Sequence, residues 1–164
     1  MYGELNGLES ICHLMITNKL KLCTLSIPSP FSDSTNTIQI YASLKHRTKN
    51  TVEIVNNSPF ITCDISVQAK VLSMDSSVDL TDENNIKQLE DAANKYLKEQ
   101  IDKYLYKISK EFHSDIAGFG RYTVKNYLTN KDWDESNWLD NFRNSYFNVN
   151  VKTNIKGSDL LLKT

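Results

Sequence analysis

The sequence predicts an α+β fold: a mainly antiparallel four- to five-stranded sheet with one long amphipathic helix and several shorter helices packed on it. Three observations carry that expectation. Ile61, Cys63, Ile65, Val67, Ala69 and Val71 alternate with Thr62, Asp64, Ser66, Gln68 and Lys70, the pattern of a strand with one buried and one wet face. From about Asp82 to Phe112 an apolar stripe, Ile86, Leu89, Ala93, Leu97, Ile101, Tyr104, Ile108 and Phe112, recurs about every 3.7 residues. Near the end, Phe147, Val149, Val151, Thr153 and Ile155 alternate with Asn148, Asn150, Lys152 and Asn154.

The other elements follow in order. Leu8, Ile11, Cys12, Met15 and Ile16 recur at helical spacing after the turn formers Asn6-Gly7, so a short helix is expected from Leu8 to Asn18. Cys23 to Ile27 alternates like a strand, Pro28-Ser29-Pro30 stops it, and a polar loop reaches Thr37. Ile38, Ile40, Ala42 and Leu44 share one parity of a second strand. A short extended piece from Val52 to Val55 follows, and Asn56-Asn57-Ser58-Pro59 reverses the chain. The stripe of the long helix steps more widely than the 3.5 residues of a left-handed coiled coil, so it should lie along its own sheet. Asp91 with Lys95, and Glu99 with Lys103, are spaced for i,i+4 pairs on its wet side. Shorter helices are expected after Gly118-Phe119-Gly120 to about Leu128, and from about Asp134 to Asn144 with Trp138, Leu139 and Phe142 on one face. There is no internal repeat, and residues 1–164 read as a single domain.

Composition narrows the function. A 164-residue chain with 40% hydrophobic and 24% charged residues can bury a real core. The net charge of -1 gives no basic face for nucleic acid and no polybasic run for anionic lipid. No apolar run is long enough for a membrane helix, and the N-terminus lacks an export signal, so the chain read alone is expected to be soluble.

Chemistry-bearing patterns are equally sparse. Cys12, Cys23 and Cys63 form neither a disulfide framework nor a CxxC metal pattern, and read as small buried hydrophobes. His13, His46 and His113 have no zinc-ligand spacing, so no metal is expected. His13 adjoins Cys12, but helix neighbours point about 100° apart, a poor geometry for a dyad. No nucleophile elbow or Walker loop occurs, and Gly118-Phe119-Gly120 fails as a dinucleotide fingerprint because it follows a helix rather than a strand. It reads instead as a turn after the long helix, with Phe119 and Ile116 plugging the core. Asp132, Asp134 and Glu135 read as complements to a helix dipole, and Trp133, Trp138, Phe142, Tyr146 and Phe147 as core aromatics. No catalytic residue and no cofactor are expected.

The order of motifs points further. Leu5-Asn6-Gly7-Leu8-Glu9-Ser10, then Ile27-Pro28, then the long helix behind Asp79-Leu80-Thr81, then Asp115-Ile116-Ala117-Gly118-Phe119-Gly120 follow one another. Trp133, Trp138, the Phe147–Val151 alternation and Gly157 complete the series. Together they resemble the C-terminal domain of the Ger(x)C family of spore germination proteins, the C subunits of nutrient germinant receptors. Leu8 stands where that family often has an acid, and Ala117 where it often has phenylalanine.

The resemblance implies a non-catalytic domain of a longer lipoprotein, lipid-anchored on the outer face of the spore inner membrane. It would act beside membrane-embedded A and B subunits through protein–protein contacts. A small-molecule, germinant-binding domain is the alternative. Asn6, Glu9, Ser10, Gly118, Phe119 and Gly120 are the candidate interface residues, with helix capping the competing explanation for the first three.

Overall fold

The computed structural model of the protein describes residues 3–31, 36–56, 58–74, 78–124 and 137–156. The chain runs α1 (Gly7–Ile16), β1 (Cys23–Pro28), β2 (Thr37–Leu44), β3 (Lys49–Val55), β4 (Ser58–Ser73) and α2 (Glu83–Tyr106). A π turn (Lys107–Glu111), a 3-10 turn (Phe119–Tyr122), α3 (Trp138–Arg143) and β5 (Tyr146–Lys156) follow. No helix among the described residues is long and apolar enough to cross a membrane.

The sheet is built around β4. β1 pairs antiparallel with β2, and both β2 and β3 pair antiparallel with β4, β2 against residues 67–73 and β3 against residues 58–64. β5 pairs with β4 in parallel over residues 60–70, a span that overlaps both partners. β2 and β3 must therefore lie end to end along one side of β4, with β5 on the other. The sheet is five-stranded and mixed, with its antiparallel pairings joined by one parallel ladder. Parallel neighbours need a crossover, and α2 supplies it.

Alternation decides which face is covered. Ile61, Cys63, Ile65, Val67 and Ala69 of β4 and Val149, Thr153 and Ile155 of β5 are buried, as their parity predicts. Leu89, Ala93, Leu97, Ile101, Tyr104 and Ile108 of the helical stripe meet them, each fully buried. The helix also guards the free edge of β5. Lys98 Nζ donates to the Val149 carbonyl (3.0 Å), Asn94 Oδ1 accepts from the Thr153 amide (2.6 Å) and Glu90 Oε1 from the Ile155 amide (2.8 Å). Residues four apart on one helix face thus occupy backbone groups that would otherwise template another strand.

Several expectations need correction. The long element is α-helical only to Tyr106 and then widens into the π turn. There the Ser109 hydroxyl donates to the Leu105 carbonyl at 2.8 Å, competing for the ladder. Of the helix expected to follow Gly118-Phe119-Gly120, the described part holds a 3-10 turn, Phe119–Tyr122, and residues 125–128 lie outside the described residues. Of Asp134–Asn144, the described residues carry α3, Trp138–Arg143. Leu139 is exposed while Trp138 and Phe142 are buried, because so short a helix has only one inward face. Ile116 is exposed and Ala117 takes the core position, since the two sit on opposite sides of the turn into left-handed Gly118 (φ 73°). On α2, the i,i+4 ion pair among the described residues is Lys98–Asp102 (3.3 Å), not Asp91–Lys95 or Glu99–Lys103. Of the expected aromatic cluster, Phe142 stacks on Phe119, lies tilted against Trp138 and meets Phe147 edge to face, while Tyr146 is exposed. Trp133, Asp132, Asp134 and Glu135 lie outside the described residues.

Candidate functional site

The sequence marks two segments, and each closes into a polar knot. At the start of α1, Asn6 sits in extended backbone as the cap; its Oδ1 accepts the Glu9 amide while Glu9 Oε2 accepts the Asn6 amide, both at 2.8 Å. This is a reciprocal capping box. The Ser10 hydroxyl donates to the Asn6 carbonyl at 2.8 Å. Asn6 and Glu9 therefore cap the helix, while Ser10 bonds back to the carbonyl one turn earlier and satisfies no free amide.

Glu9 does more than cap. Lys107, on the π turn 98 residues away, donates to both Glu9 oxygens (2.9 and 2.8 Å) and to the Glu4 carbonyl (3.0 Å). Its ammonium also lies 5.3 Å from the centre of the Phe112 ring. Burial by itself would raise the Glu9 carboxyl, but the Lys107 hydrogen bond and the Asn6 amide outweigh it and hold it below its usual value. Gly3 lies against the same ring so closely that a Cβ there would fall 2.5 Å from Phe112 atoms. Lys107 and Phe112 thus fasten the N-terminal strap and α1 to the end of the long helix.

The second knot is centred on Asp115. Its Oδ1 accepts the Phe119 amide (2.8 Å), and its Oδ2 accepts the Gly120 amide (2.7 Å) and the Trp138 indole N–H (2.9 Å). The aspartate of the Asp-Ile-Ala-Gly-Phe-Gly motif caps its own turn and pins α3 to it. Gly118 provides the left-handed turn, and Phe119 and Gly120 are buried. The two groups of candidate residues stay apart as separate knots. Sequence reasoning missed Lys107, Phe112 and Asp115 as the organising groups. The signal for Asp115 was available, because a carboxylate four and five residues ahead of two turn amides is a local capping spacing.

Of the cysteines, Cys12 and Cys63 are buried and Cys23 is half-buried, while His46 and His113 are exposed. Burial pushes the Cys12 and Cys63 thiols up to about 12 and the Cys23 thiol to about 11. His13 Nδ1 lies 2.8 Å from the hydroxyl of fully buried Tyr104, linking α1 to α2. No group of three or more His, Cys, Asp or Glu residues suited to a metal occurs among the described residues. Two surface depressions are open to solvent. One of about 420 Å³ is lined by Glu9, Asp102, Lys103, Tyr106, Lys107 and Glu111. Another of about 470 Å³ is lined by Glu53, Val55, Asn56, Ser58, Phe60 and Tyr146.

Fold and knots define a class before they define a family: an α+β module whose distinctive polar residues hold its own turns and helix ends together. Residues 1–159 match the family described as spore germination B3/GerAC like, C-terminal, and the chain belongs to that family. It is similar in fold to the crystal structure of the GerBC protein, with a TM-score of 0.72 at 17% identity, covering 93% of this chain and 46% of that one. The chain therefore spans about half the length of that relative. No curated protein matches it.

Proposed function

We propose that the chain is the C-terminal domain of a germinant receptor C subunit and serves nutrient-triggered spore germination through protein contacts, not catalysis. The full-length protein in this reading is a lipoprotein on the outer face of the spore inner membrane, beside membrane-embedded A and B subunits. Membership of a spore germination family over residues 1–159 carries the reading. The engagement of Glu9 and Asp115 within the fold supports contacts over chemistry, because neither carboxylate is left facing a closed cleft. The two depressions formed by described residues are open, whereas small-molecule sites enclose most of their ligand, which supports contacts over germinant binding at these two places.

The test uses the full-length protein in spore membranes. Cross-linking is expected to join it to the membrane-embedded subunits, and calorimetric titration of the purified protein with nutrient germinants to give no heat of binding. Saturable nutrient binding without cross-links would favour the sensing alternative.

A further inference from the structure

We propose that the apolar end of the open sheet face, formed by Val55, Phe60 and Tyr146, is the surface on which the preceding domain of the full-length protein docks. The inference rests on the reading that this chain is the C-terminal part of a longer protein, which the word C-terminal in its family's description supports.

The face itself comes first. One parity of β4 and β5 packs under α2, so Phe60, Thr62, Asp64, Ser66 and the β5 residues Tyr146, Asn148 and Asn150 look the other way. Along the middle of this face the side chains suit water, as where Asn150 Nδ2 donates to Asp64 Oδ1 at 2.8 Å. At one end they do not. Phe60 and Tyr146 are partners in the parallel ladder and are 39% and 66% exposed; Val55, on the neighbouring strand, is 51% exposed. Together with Glu53, Asn56 and Ser58 they line the 470 Å³ depression. Single exposed apolar residues are ordinary, but two aromatics and a valine around one concavity match the centre of a protein interface.

The occupant follows from where the chain enters. Lys98 to Val149, Asn94 to Thr153 and Glu90 to Ile155 set α2 antiparallel to β5, so the Lys107 end of the helix lies at the Tyr146 end of the strand. Lys107 holds the Glu4 carbonyl, and Gly3 lies under the Phe112 ring. Whatever precedes Gly3 reaches the domain at the same end as the apolar depression. A domain joined covalently at this end is held at an effective concentration that reaches order millimolar for a short flexible linker, ahead of any separate molecule. The fold match leaves more than half of the GerBC chain outside this module, enough for such a neighbour.

Hydroxyl-radical footprinting of the full-length protein, dilute and free of other subunits, tests this. Tyr146 and Phe60 are expected to react about fivefold less than exposed residues, with Tyr41, 43% exposed on the far part of the same face, as internal control. Tyr146 as reactive as Tyr41 overturns the proposal. Protection that appears only with rising concentration identifies a second copy, and protection only with the membrane subunits added identifies a separate partner. Either result overturns the intrachain assignment but leaves the receptor reading standing. A second arm replaces both aromatics, Phe60→Thr and Tyr146→Thr, keeping strand propensity. Protease cleavage between the domains is expected to rise about tenfold while this domain's own melting is unchanged. Unchanged cleavage overturns the proposal as well.

Discussion

Asp115→Ala tests whether the family-like motif is a structural knot. The carboxylate accepts three N–H groups, from Phe119, Gly120 and Trp138, at 2.7–2.9 Å. Hydrogen bonds to a charged group contribute about 1.5–3 kcal/mol each, so simple addition gives roughly 4.5–9 kcal/mol. That sum overshoots. The three donors share one acceptor group, and Asp115 is only partly buried, so water replaces part of what is lost. A loss of about 3 kcal/mol is expected, lowering Tm by about 6–12 °C for a chain of this size. Asp115→Asn keeps one acceptor oxygen but turns an amide N–H₂ toward donors, and should cost about half as much. Differential scanning calorimetry measures both. The Trp138 indole proton should also move upfield in the NMR spectrum as its acceptor disappears. An Asp115→Ala protein that melts within about 2 °C of the parent, with the indole resonance unmoved, would refute the reasoning.

The other predictions concern the core, the strap and the titrating groups. Ile101→Asp places a carboxylate at a fully buried position under the sheet and should destabilise by several kcal/mol, whereas Lys98→Asp, losing one exposed ion pair and one edge contact, should cost about 1 kcal/mol; comparable urea midpoints would sink the helix assignment. Burial, then Lys19, lowers the folded pKa of His13 below its ordinary 6.5, so the unfolded chain binds the proton first. Stability from this group is present above pH 6.5 and falls as pH drops through that value; His13→Gln should flatten the urea midpoint between pH 7.5 and 5.5, and an equally steep profile would contradict it. With Cys12 and Cys63 raised to about 12 and Cys23 to about 11, native protein at pH 8 should alkylate slowly, Cys23 first, and denatured protein quickly at all three. Rapid native modification of Cys12, followed by mass spectrometry, would contradict that burial. Glu9→Gln removes the charge facing Lys107 but keeps the shape of the capping box, and should cost about 1 kcal/mol by thermal melting, with no change counting against the strap.

The sequence made the covered faces legible because alternation and helical spacing are direct records of burial. Cys63 and Ile65 on β4, and Leu97 and Ile101 on α2, are where parity and stripe put them. Strand direction was not recorded: Val149 and Thr153 are buried by the same parity whether β5 runs with β4 or against it. The π turn was hidden for a related reason, since Ile108 and Phe112 keep helical spacing while the backbone beneath them widens. Ile116 failed as a core residue because the left-handed turn at Gly118 overrides hydrophobicity over so short a span. In the candidate site, capping by Asn6 and Glu9 was readable from local spacing, whereas Ser10 bonds back to the Asn6 carbonyl instead. The Lys107–Glu9 pair was not, because nothing local relates residues 98 apart.

The central claim, that this domain acts by meeting other proteins of a germinant receptor, is tested most directly from Gly7. That position is exposed at the first turn of α1, beside Asn6, Glu9 and Ser10, and a Cβ built there meets nothing within 4 Å. A photo-reactive residue at position 7 of the full-length protein can therefore be accepted without disturbing the cap. Irradiated in spore membranes, it is predicted to give an adduct with a membrane-embedded receptor subunit. No adduct there, in spores that germinate normally with nutrient while carrying the bulky residue, would contradict the account.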